Sequence, residues 1–345
     1  MDYFIVAIDS FKGCLTSAEA NRAAAEGILA HKPEAEVITI PVSDGGEGWL
    51  EAFQAAVGGH LVDVKVNDPL MRPILAQYLI HDDTAVIEIA KASGLTLLSP
   101  EERNPMTTTS YGTGQLVVDA VRRGCRHIIV GLGGSATSDC GIGMLKAIEN
   151  FKLKIDNDVR FTIATDVRNP LCGETGAARM FAPQKGATLE MVVELDERAR
   201  QFAEKFALRF GYDRQNMPGA GAAGGLGYAF LQYLNAECRS GIDLLLDAVC
   251  FEELLKDASL VITGEGSADR QTLMGKVPFG ILQKAKPVHV PVVLIAGQIK
   301  DKQQLLDAGF SKTECINPPD TSIDEAMKPE VAKRNIAILM QKVVP

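Results

Sequence analysis

Several short stretches place glycine beside an acid or a lysine just after an apolar run. They are Asp9-Ser10-Phe11-Lys12-Gly13, Asp44-Gly45-Gly46-Glu47-Gly48, the glycine-rich segment from Gly131 to Gly141, and Gly264-Glu265-Gly266-Ser267-Ala268-Asp269. A fifth place, Ala164-Thr165-Asp166-Val167, puts an acid after an apolar run without the glycines. Phosphoryl transfer needs this inventory: carboxylates to hold Mg²⁺, cations or N–H groups for the moving phosphoryl group, and a base near the accepting hydroxyl. Asp44, Asp139, Asp166, Glu265 and Asp269 are the candidate carboxylates, and Lys12 and Lys276 are the candidate cations. The amides of Gly133, Gly134 and Ser135 can form a concave phosphate cradle.

Taken singly, each stretch has a plainer use. Glycine after a strand is often a turn residue that tolerates positive φ, an acid there is often a helix cap, and Lys12 and Lys276 suit exposed turns. Gly131-x-Gly133-x-x-Ala136 fits the dinucleotide fingerprint, but the nearest acid of the right sense, Glu149, comes too soon for a ribose ligand. Gly219-x-Gly221-x-x-Gly224 follows Met217-Pro218 rather than a strand and reads as the close-packed start of a helix. No Gly-x-x-x-x-Gly-Lys-Ser/Thr sequence occurs, so a standard P-loop is excluded.

These residues must be positioned by strands and helices. Tyr3 to Ile8 is continuously apolar, as a strand buried on both faces of a parallel sheet would be. Thr16 with Glu19 three residues later predicts a capping box at the start of a helix running to Leu29. Val37 to Ile40 is a second strand. The runs 61–66, 74–80 and 85–89 lie so close together that hairpins, and hence a mixed sheet, are expected. Short apolar strands return at 260–263 and 292–296. The pattern predicts two α/β domains: a discontinuous Rossmann-like one, 1–62 and 240–345, with a mostly parallel sheet, and an inserted one, 63–239, with a mixed sheet; the alternative is a simple split near residue 120. In open parallel sheets ligands gather beyond the carboxyl ends of the strands, where these loops lie.

Composition narrows the function. The chain has 345 residues, enough for two cores, with 46% hydrophobic and 23% charged residues. Thirty-five Lys and Arg against 44 Asp and Glu give a net charge of −9, and no basic and aromatic cluster offsets it, so nucleic acid is not an expected partner. Seven cysteines lack any Cys-x-x-Cys and five histidines are far apart, which predicts free thiols and no transition-metal site. The start, Met1-Asp2-Tyr3-Phe4, carries acid where an export signal carries Lys or Arg, and no run reaches membrane-spanning length. The expected location is the cytoplasm, with no membrane partner.

The combined blocks resemble the type-1 bacterial glycerate kinases. They are Asp9 to Gly13, Ser43 to Gly48, Gly133-Gly134-Ser135-Ala136-Thr137, Pro218 to Gly227, Thr263-Gly264-Glu265-Gly266, and Asp269-x-Gln271-Thr272-Leu273-x-Gly275-Lys276-x-Pro278. The resemblance implies two α/β domains with the active site in the cleft between them, and ATP- and Mg²⁺-dependent phosphorylation of D-glycerate, with 2-phosphoglycerate the favoured product. It further implies that Lys12 and Lys276 offset charge on phosphate or on the glycerate carboxylate. Asp44, Glu265 or Asp269 would hold Mg²⁺, and Asp166 or Asp139 would accept the hydroxyl proton. Gly264 and Gly266 would join Gly133, Gly134, Ser135 and Lys276 at the nucleotide. Two departures stand out: Ser138-Asp139-Cys140-Gly141 replaces Asn-Asp-Gly-Gly, and Ser267-Ala268 replaces Arg with Ile or Thr, which would leave Arg270 to substitute. The competing readings are an NAD-dependent hydroxyacid dehydrogenase and a non-catalytic two-domain binder of a small acid.

Overall fold

The computed structural model describes residues 2–46 and 48–345; Glu47, one letter of the second glycine block, lies outside them. Contacts divide the chain into two compact units. The first comprises Met1–Asp44, Glu51–Val57 and Ile242–Pro345, and the second Gly45–Leu50 and Gly58–Gly241.

With strands numbered along the chain, the first unit holds β1 (Tyr3–Ile8), β2 (Glu36–Thr39), β9 (Leu260–Ala268), β10 (Val292–Ile299) and β11 (Lys312–Cys315). They form one parallel sheet in the order β11-β10-β9-β1-β2. Phe4, Val6, Ile262, Val293 and Ile295 pack against Ala20, Ala24 and Ile28 of the helix Ser17–His31 and against Ile336 and Met340 of the helix Pro329–Val343. A Cβ on Gly27 would lie 2.4 Å from the Ala337 carbonyl oxygen, so the two helices can approach this closely only through a glycine.

The capping box at the first helix is present, Thr16 with Glu19. Its next turns fix the site. Buried Asn21 accepts from the Ile8 amide through Oδ1 at 3.1 Å and donates to the Ile8 carbonyl through Nδ2 at 2.9 Å. Ser17 Oγ donates to the same carbonyl at 2.5 Å and accepts from the Val42 amide at 2.9 Å. The carboxyl end of β1 and the segment leading to Asp44 are thereby tied to one helix.

The second unit holds β3 (His60–Asn67), β4 (Pro73–His81), β5 (Thr84–Glu88), β6 (His127–Gly131), β7 (Arg160–Ala164) and β8 (Glu237–Arg239), in that spatial order. β3, β4 and β5 pair antiparallel through short connections, and β5 to β8 pair parallel. The expected mixed sheet follows from those connection lengths: two to five residues permit only hairpins, whereas the parallel pairs are joined through helices. The core gathers Tyr78, Ile87, Val130, Ile163 and Phe230. Among the described residues no helix is long and apolar enough to cross a membrane.

One local expectation is corrected. Gly264 to Asp269, read as a loop after a strand, is mostly strand, because β9 continues to Ala268 against β10, with Ser267 opposite Gln298 and Ala268 opposite Ile299. Parallel pairing with a long neighbour overrides the poor strand propensity of Gly-Glu-Gly-Ser.

Candidate active site

At the carboxyl ends of β1, β9, β10 and β11 the first unit opens a cavity of about 810 Å³. Asp9, Lys12, Asp44, Glu265, Gly266 and Lys276 line it.

Asp9 is the first residue past β1. Its amide donates to the Gly264 carbonyl at 2.9 Å, and its Oδ1 accepts from the Ser10 amide at 2.7 Å. Burial, then the Asp44 charge, push the Asp9 carboxyl up to about 7, against the Ser10 hydrogen bond and Lys12, which lower it. Phe11 and Leu15 exchange backbone hydrogen bonds of 2.9 Å across a tight turn with Gly13 at φ +73°, and this turn presents Lys12 as an exposed side chain.

Glu265 is 6% exposed in β9. Thr272 Oγ1 donates to its Oε1 at 2.5 Å and Lys276 Nζ to its Oε2 at 3.1 Å. Burial raises its carboxyl above the usual range, opposed by those two partners. Lys276 stands at the cap of the helix Val277–Ala285, after Gly275 at φ +107°. Gly264 has a packing role: a Cβ there would fall 2.4 Å from the Ile295 carbonyl oxygen on β10. At Gly266 an added Cβ would meet nothing nearer than Phe11 Cα at 3.6 Å.

Asp269, expected at the metal, does not line this cavity. Its carboxylate caps the turn Arg270–Met274, accepting from the Gln271 amide at 2.7 Å. Arg270, the suggested substitute for the family Arg, is exposed and also outside the lining, with its amide on Asp301 Oδ2 at 3.3 Å.

The remaining candidates belong to the second unit. Asp166 is half-buried just past β7. The Gly133 amide donates to the Gly45 carbonyl at 3.1 Å, and a Cβ on Gly133 would lie 2.4 Å from Gly46 Cα. Gly134 has φ +71° and accepts from the Leu95 amide at 2.8 Å. Ser135 Oγ lies 3.1 Å from Thr137 Oγ1 and accepts from the Thr137 amide at 3.1 Å. The close approach that these residues permit is therefore made to neighbouring protein backbone.

Asp139 serves as a clamp. Oδ2 accepts from the Ser110 amide (2.8 Å), Ser110 Oγ (2.9 Å), the Gly143 amide (3.0 Å) and Thr109 Oγ1 (3.3 Å), and Oδ1 from the Gly141 amide (3.1 Å). With five donors on its two oxygens, this carboxylate holds the Thr109-Ser110 segment against the start of the helix Ile142–Asn150. Ser110, at the N-cap of the helix Tyr111–Arg122, makes no side-chain cap bond to it; its hydroxyl accepts from the Met144 amide of the helix Ile142–Asn150 at 3.0 Å. The helix Ala222–Tyr233 begins as the small residues suggested, with Ala223, Gly224 and Gly225 at positive φ and a Gly224 Cβ destined to lie 2.0 Å from the Thr137 carbonyl oxygen.

Four residues that hold the strand ends and loops in place escaped the sequence reasoning. Asp9 carries the signal of an acid directly after a strand, the only acid of Asp9-Ser10-Phe11-Lys12-Gly13. Asn21 and Ser17 gave only the signal of polar residues on an otherwise small, apolar helix face. Lys185 gave none: it is 2% exposed and donates to the Thr137 carbonyl at 2.6 Å, and burial pushes its ammonium down to about 8.

Known proteins share most of the length of this chain. The model of the glycerate kinase family matches residues 4–157 and 148–345. A Halalkalibacterium halodurans protein named glycerate kinase is 40% identical, with 98% of each chain covered. An Escherichia coli protein named glycerate 2-kinase is 40% identical, with 96% of each covered. A Salmonella typhimurium LT2 crystal structure, described as a candidate glycerate kinase 2, superposes with a TM-score of 0.84 at 35% identity, covering 99% of this chain and 97% of that one. Strand order, strand-end residues and these relatives lead to one assignment: the chain belongs to the glycerate kinase family.

Proposed function

We propose that this protein is a glycerate kinase that transfers the γ-phosphoryl group of ATP to the 2-hydroxyl of D-glycerate with Mg²⁺ as its metal, acting in the cytoplasm. The observation that carries the reading is the cavity in which Lys12 and Lys276 stand among Asp9, Asp44 and Glu265, in a chain of this family. The dehydrogenase and the non-catalytic binder have no comparable support.

The charge balance favours a divalent cation. Four acids (Asp9, Asp44, Glu265 and Asp320) and two lysines line one cavity, an excess of acid that would repel a bare triphosphate. Among the described residues no group of three His, Cys, Asp or Glu is preassembled around an ion. Mg²⁺ takes one or two carboxylates and completes its octahedron with phosphate oxygens and water. Asp44 is the ligand we assign, because it lines the cavity together with Lys12 and Lys276, whereas Asp269 caps a turn outside the lining. The ion, when bound, would draw charge from the phosphate oxygens.

The chain's own groups do the rest. Lys276, held by Glu265, and Lys12, on its tight turn, bind phosphate oxygens and offset charge in the transition state. Asp9 takes the proton of the acceptor hydroxyl; its carboxyl near 7 places it close to the pH at which a general base is most effective. The preference for the 2-hydroxyl rests on the name of the Escherichia coli relative.

An ADP-release assay on purified protein tests the reading. ADP should appear only when ATP, Mg²⁺ and D-glycerate are all present, and phosphorus NMR should identify 2-phosphoglycerate. Nicotinamide reduction with glycerate, or glycerate binding without ADP release, would overturn it.

A further inference from the structure

The cavity has a second half that the phosphate chemistry does not use. Beside Lys12 the lining gathers the apolar side chains Phe11, Ile299, Pro318, Ile323 and Met327, with Gln298, Asn317, Asp320 and Thr321 among them. Ile323 is 80% exposed and Met327 43% exposed, both on or beside the short helix Ile323–Ala326. Large apolar side chains left this open while facing a cavity mark a surface that gains from being covered.

The halves are continuous. A Cβ on Gly13 would lie 3.4 Å from Met327 Cε, so Met327 reaches over the turn that presents Lys12. A Cβ on Gly297 would lie 3.7 Å from the Phe11 ring and 2.7 Å from the Gly266 carbonyl oxygen, so the two glycines leave a flat floor beside that ring. Asn317 fixes the far wall, with Nδ2 donating to the Gly297 carbonyl at 2.8 Å and Oδ1 accepting from Asn335 at 3.3 Å.

We infer that this apolar half seats the purine nucleoside of ATP, its base against Ile323 and Met327 and its phosphates running over Gly13 toward Lys12 and Lys276. The inference rests on the kinase reading and adds the placement of the nucleotide. A three-carbon hydroxyacid has no apolar surface to bury here, whereas a base offers a flat ring to the polarisable Met327 thioether and to the Ile323 methyls. A volume near 810 Å³ lies within the range of about 300–1,000 Å³ of small-molecule sites and exceeds what a polyphosphate and a small acid need.

Two cysteines give a direct test on the intact enzyme. Cys315 is free, exposed and lines the cavity; Cys250 is free and exposed outside the lining and serves as the internal reference. Saturating MgADP should slow iodoacetamide labelling of Cys315, read by peptide mass spectrometry, at least about tenfold while leaving Cys250 unchanged. Ile323→Asp, at an exposed position, should raise KM for ATP about tenfold or more, with kcat and KM for glycerate within about twofold. Unchanged Cys315 labelling in enzyme that turns over ATP with glycerate, or an unchanged KM for ATP in the variant, overturns the placement and leaves the kinase standing. Absence of both turnover and protection overturns the kinase reading and this inference with it.

Discussion

Lys276 Nζ lies 3.1 Å from Glu265 Oε2, and the same carboxylate takes the Thr272 hydroxyl on its other oxygen. The lysine is therefore held in place before substrate arrives, which lowers the entropy lost when it meets phosphate. Lys276→Met should reduce kcat/KM for ATP on the order of 100-fold, with a small effect on KM for glycerate. Glu265→Gln should weaken turnover less, because the ammonium remains but loses its anchor. Steady-state kinetics of the two variants would distinguish a phosphate-binding lysine from one that only completes a surface ion pair, for which both effects would stay near twofold.

Asp9 gives a prediction in which stability and activity move oppositely. Its carboxyl is raised from 3.8 to about 7, chiefly by burial. The protonated form is favoured in the folded chain, so the contribution to stability is full below about pH 4 and is lost as pH rises through 7. Asp9→Asn keeps the oxygen that accepts from the Ser10 amide and removes the charge. In EDTA at pH 8 the variant should melt several degrees above the wild type, by at most about 4 kcal/mol, and the gap should narrow as pH falls toward 5. Its kcat should drop by about 10²–10⁴. Equal melting at pH 8 would mean that the carboxylate is not stressed as described.

Asp139 should behave as a structural residue. An amide nitrogen in Asp139→Asn must face donors on at least one side of the clamp, leaving N–H groups without acceptors. A loss of about 2–4 kcal/mol is expected, visible as a lowered Tm. A variant with the wild-type Tm and abolished turnover would restore Asp139 to the chemistry.

The two sheet types, one mostly parallel and one mixed, were legible because both depend on local patterns: continuous apolar runs for β1 and β10, and closely spaced runs for the β3 to β5 hairpins. What each polar group does was not legible, because partner choice is long-range. Asp44 and Asp139 look alike as acids beside glycine. One lines the cavity that holds Lys12 and Lys276, whereas the other is taken up by Ser110, twenty-nine residues away, and by the amides at the start of a helix. Gly133 and Gly266 likewise read as equivalent flexible backbone, yet one is pressed against Gly46 and the other is open. Lys185 was invisible for the same reason: nothing near it in sequence shows that Thr137 will be its acceptor.

Lys185 should make stability rise at alkaline pH. Its ammonium is held down to about 8 by burial, against 10.5 for a solvated lysine. Below pH 8 the folded chain carries the buried charge, and as pH climbs toward 10.5 the unfolded chain holds the extra proton, so folding gains. Relative to Lys185→Met, the wild type should become more stable between pH 8 and 10, by up to about 3 kcal/mol. Parallel chemical denaturation series at fixed salt would measure this, and parallel curves for the two proteins would contradict it.

The two glycines provide the sharpest contrast. Gly133→Ala forces a methyl to within 2.4 Å of Gly46 Cα, a backbone atom that cannot swing away, so the loop must shift and the protein should lose about 1–3 kcal/mol. Gly266→Ala meets only ordinary contacts at 3.6 Å and needs no left-handed backbone, so the fold should be unaffected. The new methyl would nevertheless point into the space between Phe11 and Lys12 that the proposed nucleotide crosses, and KM for ATP should rise while Tm stays within about a degree. Differential scanning fluorimetry and ATP titrations on both variants decide the matter. If Gly266→Ala binds ATP normally and Gly133→Ala, correctly folded, does not, the phosphates belong at Gly133-Gly134-Ser135 and the assignment to the first unit's cavity is wrong.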